Sequence, residues 1–237
     1  MNVKRHIPNL LTLGNLFSGT VASIFAVQGD YILAAFLVSL GIFFDFFDGF
    51  AARLLNVSGE LGKQLDSLAD MVTSGVVPGI IMYKLLIEAN IVNFSIPTYV
   101  PFLGLLLTLG ACYRLANFNI DTRQSDSFIG LPTPAMSLFI VSLPLIQEYS
   151  KITVAKALIE NTYFLLGTTL ALTYVMNAEI ILFSLKFKEY SIKNNVVKYL
   201  FLILSVVMIV SLHYLSIPLI IVAYLVLSLM NNKTISK

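Results

Sequence analysis

Asp45-Phe46-Phe47-Asp48-Gly49-Phe50-Ala51-Ala52-Arg53 and, after the eight residues 54–61, Gly62-Lys63-Gln64-Leu65-Asp66-Ser67-Leu68-Ala69-Asp70 set four carboxylates into otherwise apolar segments. Asp45 and Asp48 are three apart and Ala52 is four further on, so all three share one helical face. Gly62, Asp66 and Asp70 recur at intervals of four and share a face in the same way. Asn56, Ser58 and Gly59 between them are turn formers. The stretch therefore predicts two antiparallel helices that face each other, each presenting two carboxylates near one end. Gly49, Ala52 and Gly62 let a bulky group approach the backbone.

An aspartate at mid-bilayer costs about 3 kcal/mol on insertion scales, and less near the interface. Four ionised carboxylates also repel one another, which only protons or cations relieve. The single Arg53 cannot neutralise them. Clustered hard oxygen ligands suit Mg²⁺ or Mn²⁺, and less selectively Ca²⁺. Four carboxylates on two helices can hold two bridged ions, a device that stabilises attacking and leaving oxygens at phosphorus. The plainer alternative is a set of aspartates paired with Lys and Arg at a helix end. It finds few cations nearby, and Phe43, Phe44, Phe46 and Phe47 alternate with the acids instead of solvating residues.

Outward from this stretch the chain stays apolar. Its 237 residues are 57% hydrophobic and 12% charged, with a mean hydropathy of +0.86, whereas soluble domains carry about 25% charged residues. A bilayer span needs about 20 apolar residues, and eight segments qualify: 9–27, 31–53, 62–86, 97–117, 131–147, 161–184, 196–213 and 217–231. The last two are separated only around Ser216-Ile217-Pro218 and predict a helical hairpin. Period-two alternation over ten-residue stretches is missing, which argues against a β-barrel. The expectation is an all-α polytopic membrane protein of about eight transmembrane helices, with residues 1–190 as a catalytic core and 191–237 as a C-terminal hairpin and tail.

Basic residues orient it. With the N-terminus in the cytoplasm, Lys4, Arg5, Arg53, Lys63, Arg114, Arg123, Lys186, Lys188, Lys193, Lys198, Lys233 and Lys237 fall on the cytoplasmic side. Only Lys84, Lys151 and Lys156 do not, so twelve of fifteen Lys and Arg obey the positive-inside rule. Both termini and the aspartates are expected at the cytoplasmic face of the cell membrane. A net charge of +2 without a basic stripe argues against nucleic acid. The single Cys112 excludes an internal disulfide, and no cleavable signal peptide is expected. In the first segment Asn9, Thr12, Asn15 and Ser18 form a polar stripe. It faces either neighbouring helices or a ligand in a cytoplasm-facing cavity.

The pattern Asp45-x2-Asp48-Gly49-x2-Ala52-Arg53-x8-Gly62-x3-Asp66-x3-Asp70 resembles the signature of the CDP-alcohol phosphotransferase family at every defined position. The resemblance implies a six-helix core in a homodimer, with a cytoplasm-facing polar cavity. It also implies Asp45, Asp48 and Asp66 as metal ligands and Asp70 as general base with a further metal contact. Gly49, Ala52, Arg53 and Gly62 would line the cytidine nucleotide site, joined by Asp66 and by Thr12 and Asn15 of the stripe. Small residues admit a nucleotide, and an arginine pairs with phosphate.

Three further stretches resemble the membrane-spanning bacterial phosphatidylserine synthases within that family. They are Ile7-Pro8-Asn9-Leu10-Leu11-Thr12-Leu13-Gly14-Asn15-Leu16-Phe17-Ser18-Gly19, Arg114-Leu115-Ala116-Asn117-Phe118-Asn119, and Phe128-Ile129-Gly130-Leu131-Pro132-Thr133-Pro134-Ala135. The resemblance covers most of the first 135 residues and is weaker beyond them. It implies CDP-diacylglycerol and L-serine as substrates, with Arg114, Asn117 and Asn119 as acceptor ligands. Arg114 offers a bidentate fork for a carboxylate, although an interfacial arginine would snorkel to the same place. Asn117 stands where many relatives have arginine. Asn177 and Glu179, assigned to the sixth helix, also depart from the pattern. Glycerol 3-phosphate and inositol phosphate remain alternative acceptors. Divalent-cation transport is a further alternative that has no use for Gly49, Ala52, Arg53 and Gly62 at these spacings.

Overall fold

The computed structural model describes residues 6–57, 59–93, 97–121, 128–183, 191 and 195–235. Ser58, Lys4, Arg5, Arg123, Lys186, Lys188, Lys193 and Lys237, which entered the turn and orientation arguments, lie outside the described residues. The elements are helices α1 (His6–Gln28), α2 (Tyr31–Leu54), α3 (Glu60–Asp70), α4 (Val77–Asn93), α5 (Leu106–Ile120), α6 (Thr133–Tyr149), α7 (Thr153–Ile159), α8 (Thr162–Asn177), α9 (Val196–Leu212) and α10 (Ser216–Ile235), with a two-residue strand pair β1 (Phe128–Ile129) and β2 (Ile181–Leu182). Among the described residues, five stretches are long and apolar enough to cross a membrane: His6–Gln28, Tyr31–Leu54, Glu60–Ala89, Val100–Ile120 and Val196–Met230. The chain is an all-α polytopic membrane protein.

All eight expected segments contain helix, but three differ in form. The third is α3 and α4 joined by a π-helical stretch, Met71–Val76. A π turn leaves carbonyls without their usual partners, and neighbouring hydroxyls bind them here. Thr108 Oγ1 donates to Gly75 O at 2.9 Å and Ser137 Oγ to Thr73 O at 3.5 Å. The fourth segment opens as a 3₁₀ turn, Val100–Leu105. The sixth does not reach residue 184. It is preceded by the short α7, stops at Asn177, and hands over to β2. Glu179 is therefore not helical, contrary to the sequence expectation.

That early stop has a visible cause. Phe128 pairs with Leu182 and Ile129 with Ile181. The backbone N–H of Gly130 donates to Ile180 O at 2.9 Å and that of Leu131 to Val175 O at 3.1 Å. Gly130 has φ +72°, and any Cβ there would collide with Met176 O. Only glycine lets the chain entering α6 lie this close to the exit of α8.

The core runs through α4, α5, α6 and α8, where Ile81, Met82, Leu107, Met136, Ile140 and Leu165 are fully buried. Phe201 and Tyr224 stack at 5.5 Å although 23 residues separate them. An unbroken helix would hold them about 35 Å apart, so α9 and α10 fold back on each other. The reversal sits at His213, with φ +49°. Large apolar side chains such as Phe17, Phe36, Phe46 and Val210 remain exposed, as expected of surface facing lipid.

Candidate active site

α1, α2 and α3 bring the four aspartates to one end of the bundle. Asp45, Asp48 and Asp66 each offer a carboxylate oxygen within 4.8 Å of the others, and Asp45 and Asp66 face each other directly. Asp48 and Asp70 are 6% and 8% exposed. The helical register of α2 and α3 sets these carboxylates toward one another across the two helices.

The polar stripe of α1 supports this cluster. Thr12 Oγ1 donates to Asp48 Oδ2 at 2.5 Å, and Asn15 Nδ2 to Asp70 Oδ1 at 3.1 Å. Asn15 is itself fixed, since its backbone oxygen accepts from Thr73 Oγ1 at 3.1 Å. The two stripe residues expected at the nucleotide thus hold carboxylates, and Thr12 also borders the adjoining cavity. Gly41 of α2 fits against this junction. A Cβ there would lie 2.7 Å from Thr73 Cγ2 and 2.8 Å from Asn15 Oδ1.

The donor set suits a hard divalent cation. Oxygens bound to one Mg²⁺ at 2.0–2.1 Å lie at most about 4.2 Å apart, and those around Ca²⁺ about 5 Å, so a 4.8 Å cluster needs little or no contraction. Asp66 Oδ1 is buried without a hydrogen-bond partner among the described residues, and a buried acceptor left this way costs about 1–3 kcal/mol unless something occupies it. The residues therefore fit a divalent ion. Asp70 stands beside the three-carboxylate group and is not one of its members.

One cavity borders the aspartates directly, and a second opens beside Arg114. The first, of about 230 Å³, is lined by Asp48, Asp66, Gly49, Arg53, Gly62 and Lys63 among others, and Ala52 also borders it. All four small or basic residues expected at the nucleotide are thus gathered here. Lys63 Nζ donates to the backbone oxygen of Asn119, tying α3 to the end of α5.

The other cavity, about 410 Å³, is bordered by Arg114, Asn117, Asp121, Asn177 and Glu179. Arg114 is 8% exposed, its guanidinium carbon lies 6.0 Å from the Phe118 ring centroid, and its Nε has no partner among the described residues. It is within electrostatic reach of Asp70. Of the three expected acceptor residues, Arg114 and Asn117 line this cavity. Asn119 does not, because its Oδ1 accepts from Ser67 Oγ at 3.1 Å and its backbone oxygen from Lys63. Asp121 escaped the sequence argument although it lies seven residues from Arg114, just past the end of α5, where it caps the helix. Asn177 Nδ2 donates to Gly110 O at 3.1 Å and Thr173 O at 3.0 Å, which locks the end of α8 onto α5.

Residues 5–230 match the sequence model of the family described as CDP-alcohol phosphatidyltransferase. Among curated proteins, a CDP-diacylglycerol–serine O-phosphatidyltransferase of Bacillus subtilis is 36% identical over 142 residues, covering 58% of this chain and 75% of the relative. One of the same name from Helicobacter pylori is 34% identical over 143 residues, covering 60% of this chain and 58% of the relative, so the match spans less than two thirds of that protein. An archaetidylserine synthase of Methanothermobacter thermautotrophicus is 30% identical over 165 residues, covering 68% and 67%.

Proposed function

Because the chain belongs to the CDP-alcohol phosphatidyltransferase family, we propose that it transfers the phosphatidyl group of CDP-diacylglycerol to the hydroxyl of L-serine, giving phosphatidylserine and CMP. The observation that carries this reading is the position of Asp70. It lies beside the three-carboxylate group and within electrostatic reach of Arg114 in the second cavity. The relatives named for serine transfer support the acceptor.

Arg53 and Lys63 bind the nucleotide phosphates in the cavity where Gly49, Ala52 and Gly62 leave space. Asp45, Asp48 and Asp66, with Asp70 at their edge, would hold Mg²⁺ or Mn²⁺. When bound, the metal neutralises the diphosphate and the departing CMP. Arg114 takes the serine carboxylate and turns the hydroxyl toward Asp70. Asn15 engages Oδ1 of Asp70, which leaves Oδ2 to accept the hydroxyl proton. The new bond joins the serine oxygen to the β-phosphorus, and the bond to the CMP oxygen breaks. The acyl chains lie between helices against bilayer lipid. The protein works as a homodimer in the cytoplasmic membrane, with its aspartates facing the cytoplasm, as the distribution of Lys and Arg supports.

The test is a transfer assay on purified protein in detergent with CDP-diacylglycerol, Mg²⁺ or Mn²⁺, and labelled serine, with glycerol 3-phosphate and inositol phosphate in parallel. Labelled phosphatidylserine and CMP are expected, both lost on chelation and restored by metal. Product with another acceptor alone would overturn the serine assignment. No CMP with any acceptor would overturn the enzyme reading.

A further inference from the structure

The larger cavity carries both signs of charge, and the placement is set by the backbone. Arg114 and Asn117 share one face of α5 and Asp121 caps its end, its backbone N–H donating to Asn117 O at 3.0 Å, so a cation, an amide and a carboxylate line the cavity from this side. The opposite wall is the exit of α8, residues Met176 to Glu179. The strand pair and the Gly130–Ile180 and Leu131–Val175 hydrogen bonds hold that exit in place, and Asn177 pins it to Gly110 of α5. The buried Arg114 Nε without a partner marks the end of the cavity where an anionic group would be received. Asp121 and the exposed Glu179 bring negative charge to the same cavity.

We infer that Glu179, with Asp121, accepts the ammonium group of the acceptor, so that this cavity selects a zwitterionic amino-acid alcohol over an anionic one. The inference rests on the serine reading and adds to it a residue that decides specificity. An acceptor with a phosphate or a second carboxylate in place of the ammonium meets like charge at Glu179 and Asp121, which is an effective means of rejection. One that lacks the ammonium altogether forgoes the charge-assisted attraction to the two carboxylates. Catalysis at Asp70 does not require Glu179, so its effect belongs in serine binding.

The experiment compares steady-state kinetics of the purified full chain with those of Glu179→Gln and, separately, Asp121→Asn. L-serine and CDP-diacylglycerol are varied in turn, and glycerate, which is serine with hydroxyl in place of ammonium, is the competing inhibitor. A hydrogen bond to a charged group is worth about 1.5–3 kcal/mol, so KM for serine should rise roughly tenfold or more in Glu179→Gln. The kcat and the donor KM should stay close to wild type, and the preference for serine over glycerate should shrink by a similar factor. Serine turnover with unchanged serine KM in both variants would overturn the inference and leave the proposed function standing. Parallel loss of donor KM and kcat would equally overturn it, by making the role structural. Wild-type protein that ignores serine and uses glycerol 3-phosphate would sink both.

Discussion

Asp70 is distinguished from the other three aspartates by its contacts. Asp45, Asp48 and Asp66 face one another, whereas Asp70 is bound by Asn15 and lies within reach of Arg114. Replacing it with Asn keeps the size of the side chain and its place beside Asn15 but removes the proton acceptor. Asp70→Asn should lower turnover by about 10²-fold or more, the scale of general-base catalysis, while nucleotide binding measured by CMP titration stays near wild type. Retained turnover would take the base role from Asp70. How Thr12 and Asn15 serve these acids was only half legible in the sequence. Their spacing gave a face, but helical periodicity cannot say which neighbour that face meets, and the partners proved to be Asp48 and Asp70.

Among the elements, the junction of α1, α2 and the π-helical stretch is the tightest near the site. In a helix, Gly→Ala ordinarily gains up to about 1 kcal/mol. At Gly41 the added Cβ would meet Thr73 Cγ2 and Asn15 Oδ1 within 2.8 Å, and Thr73 is held by its bond to Asn15 O. Overpacking costs about 1–3 kcal/mol, so the clash wins. Gly41→Ala should lower the melting temperature in detergent and reduce turnover through Asn15. Gly167 of α8 has open space around its Cβ direction, so Gly167→Ala should raise the melting temperature. A drop at Gly167 together with no change at Gly41 would contradict this packing. The π stretch itself was illegible, because Met71–Val76 reads as ordinary apolar helix and the hydroxyls that bind its carbonyls come from Thr108 and Ser137, far along the chain. The end of α8 was missed for a related reason. Apolar residues continue from Ile180 to Phe183, and a short apolar run does not distinguish helix from strand.

Across the whole molecule, the helices alternate in direction so that the aspartates, both cavities and the strand pair gather at one end. The number and order of the apolar segments were legible because hydropathy alone reports them. The assignment of Asn119 to a cavity was not, because it depends on how α3 and α5 meet through Lys63 and Ser67. Orientation can be tested in a Cys112→Ser background. A membrane-impermeant thiol reagent should label Lys151→Cys in intact cells and Glu60→Cys only after permeabilisation. The reverse pattern would invert the proposed topology.

The gathering of all four clustered aspartates and both cavities at one end also bears on the bilayer itself. A lipid finished there keeps its new headgroup in the leaflet that supplied its donor. Each turnover would then exchange one headgroup for another in that leaflet alone, and the new headgroup would reach the opposite leaflet only through a separate device that flips lipid across. The enzyme would set the headgroup composition of one monolayer and so be a source of bilayer asymmetry.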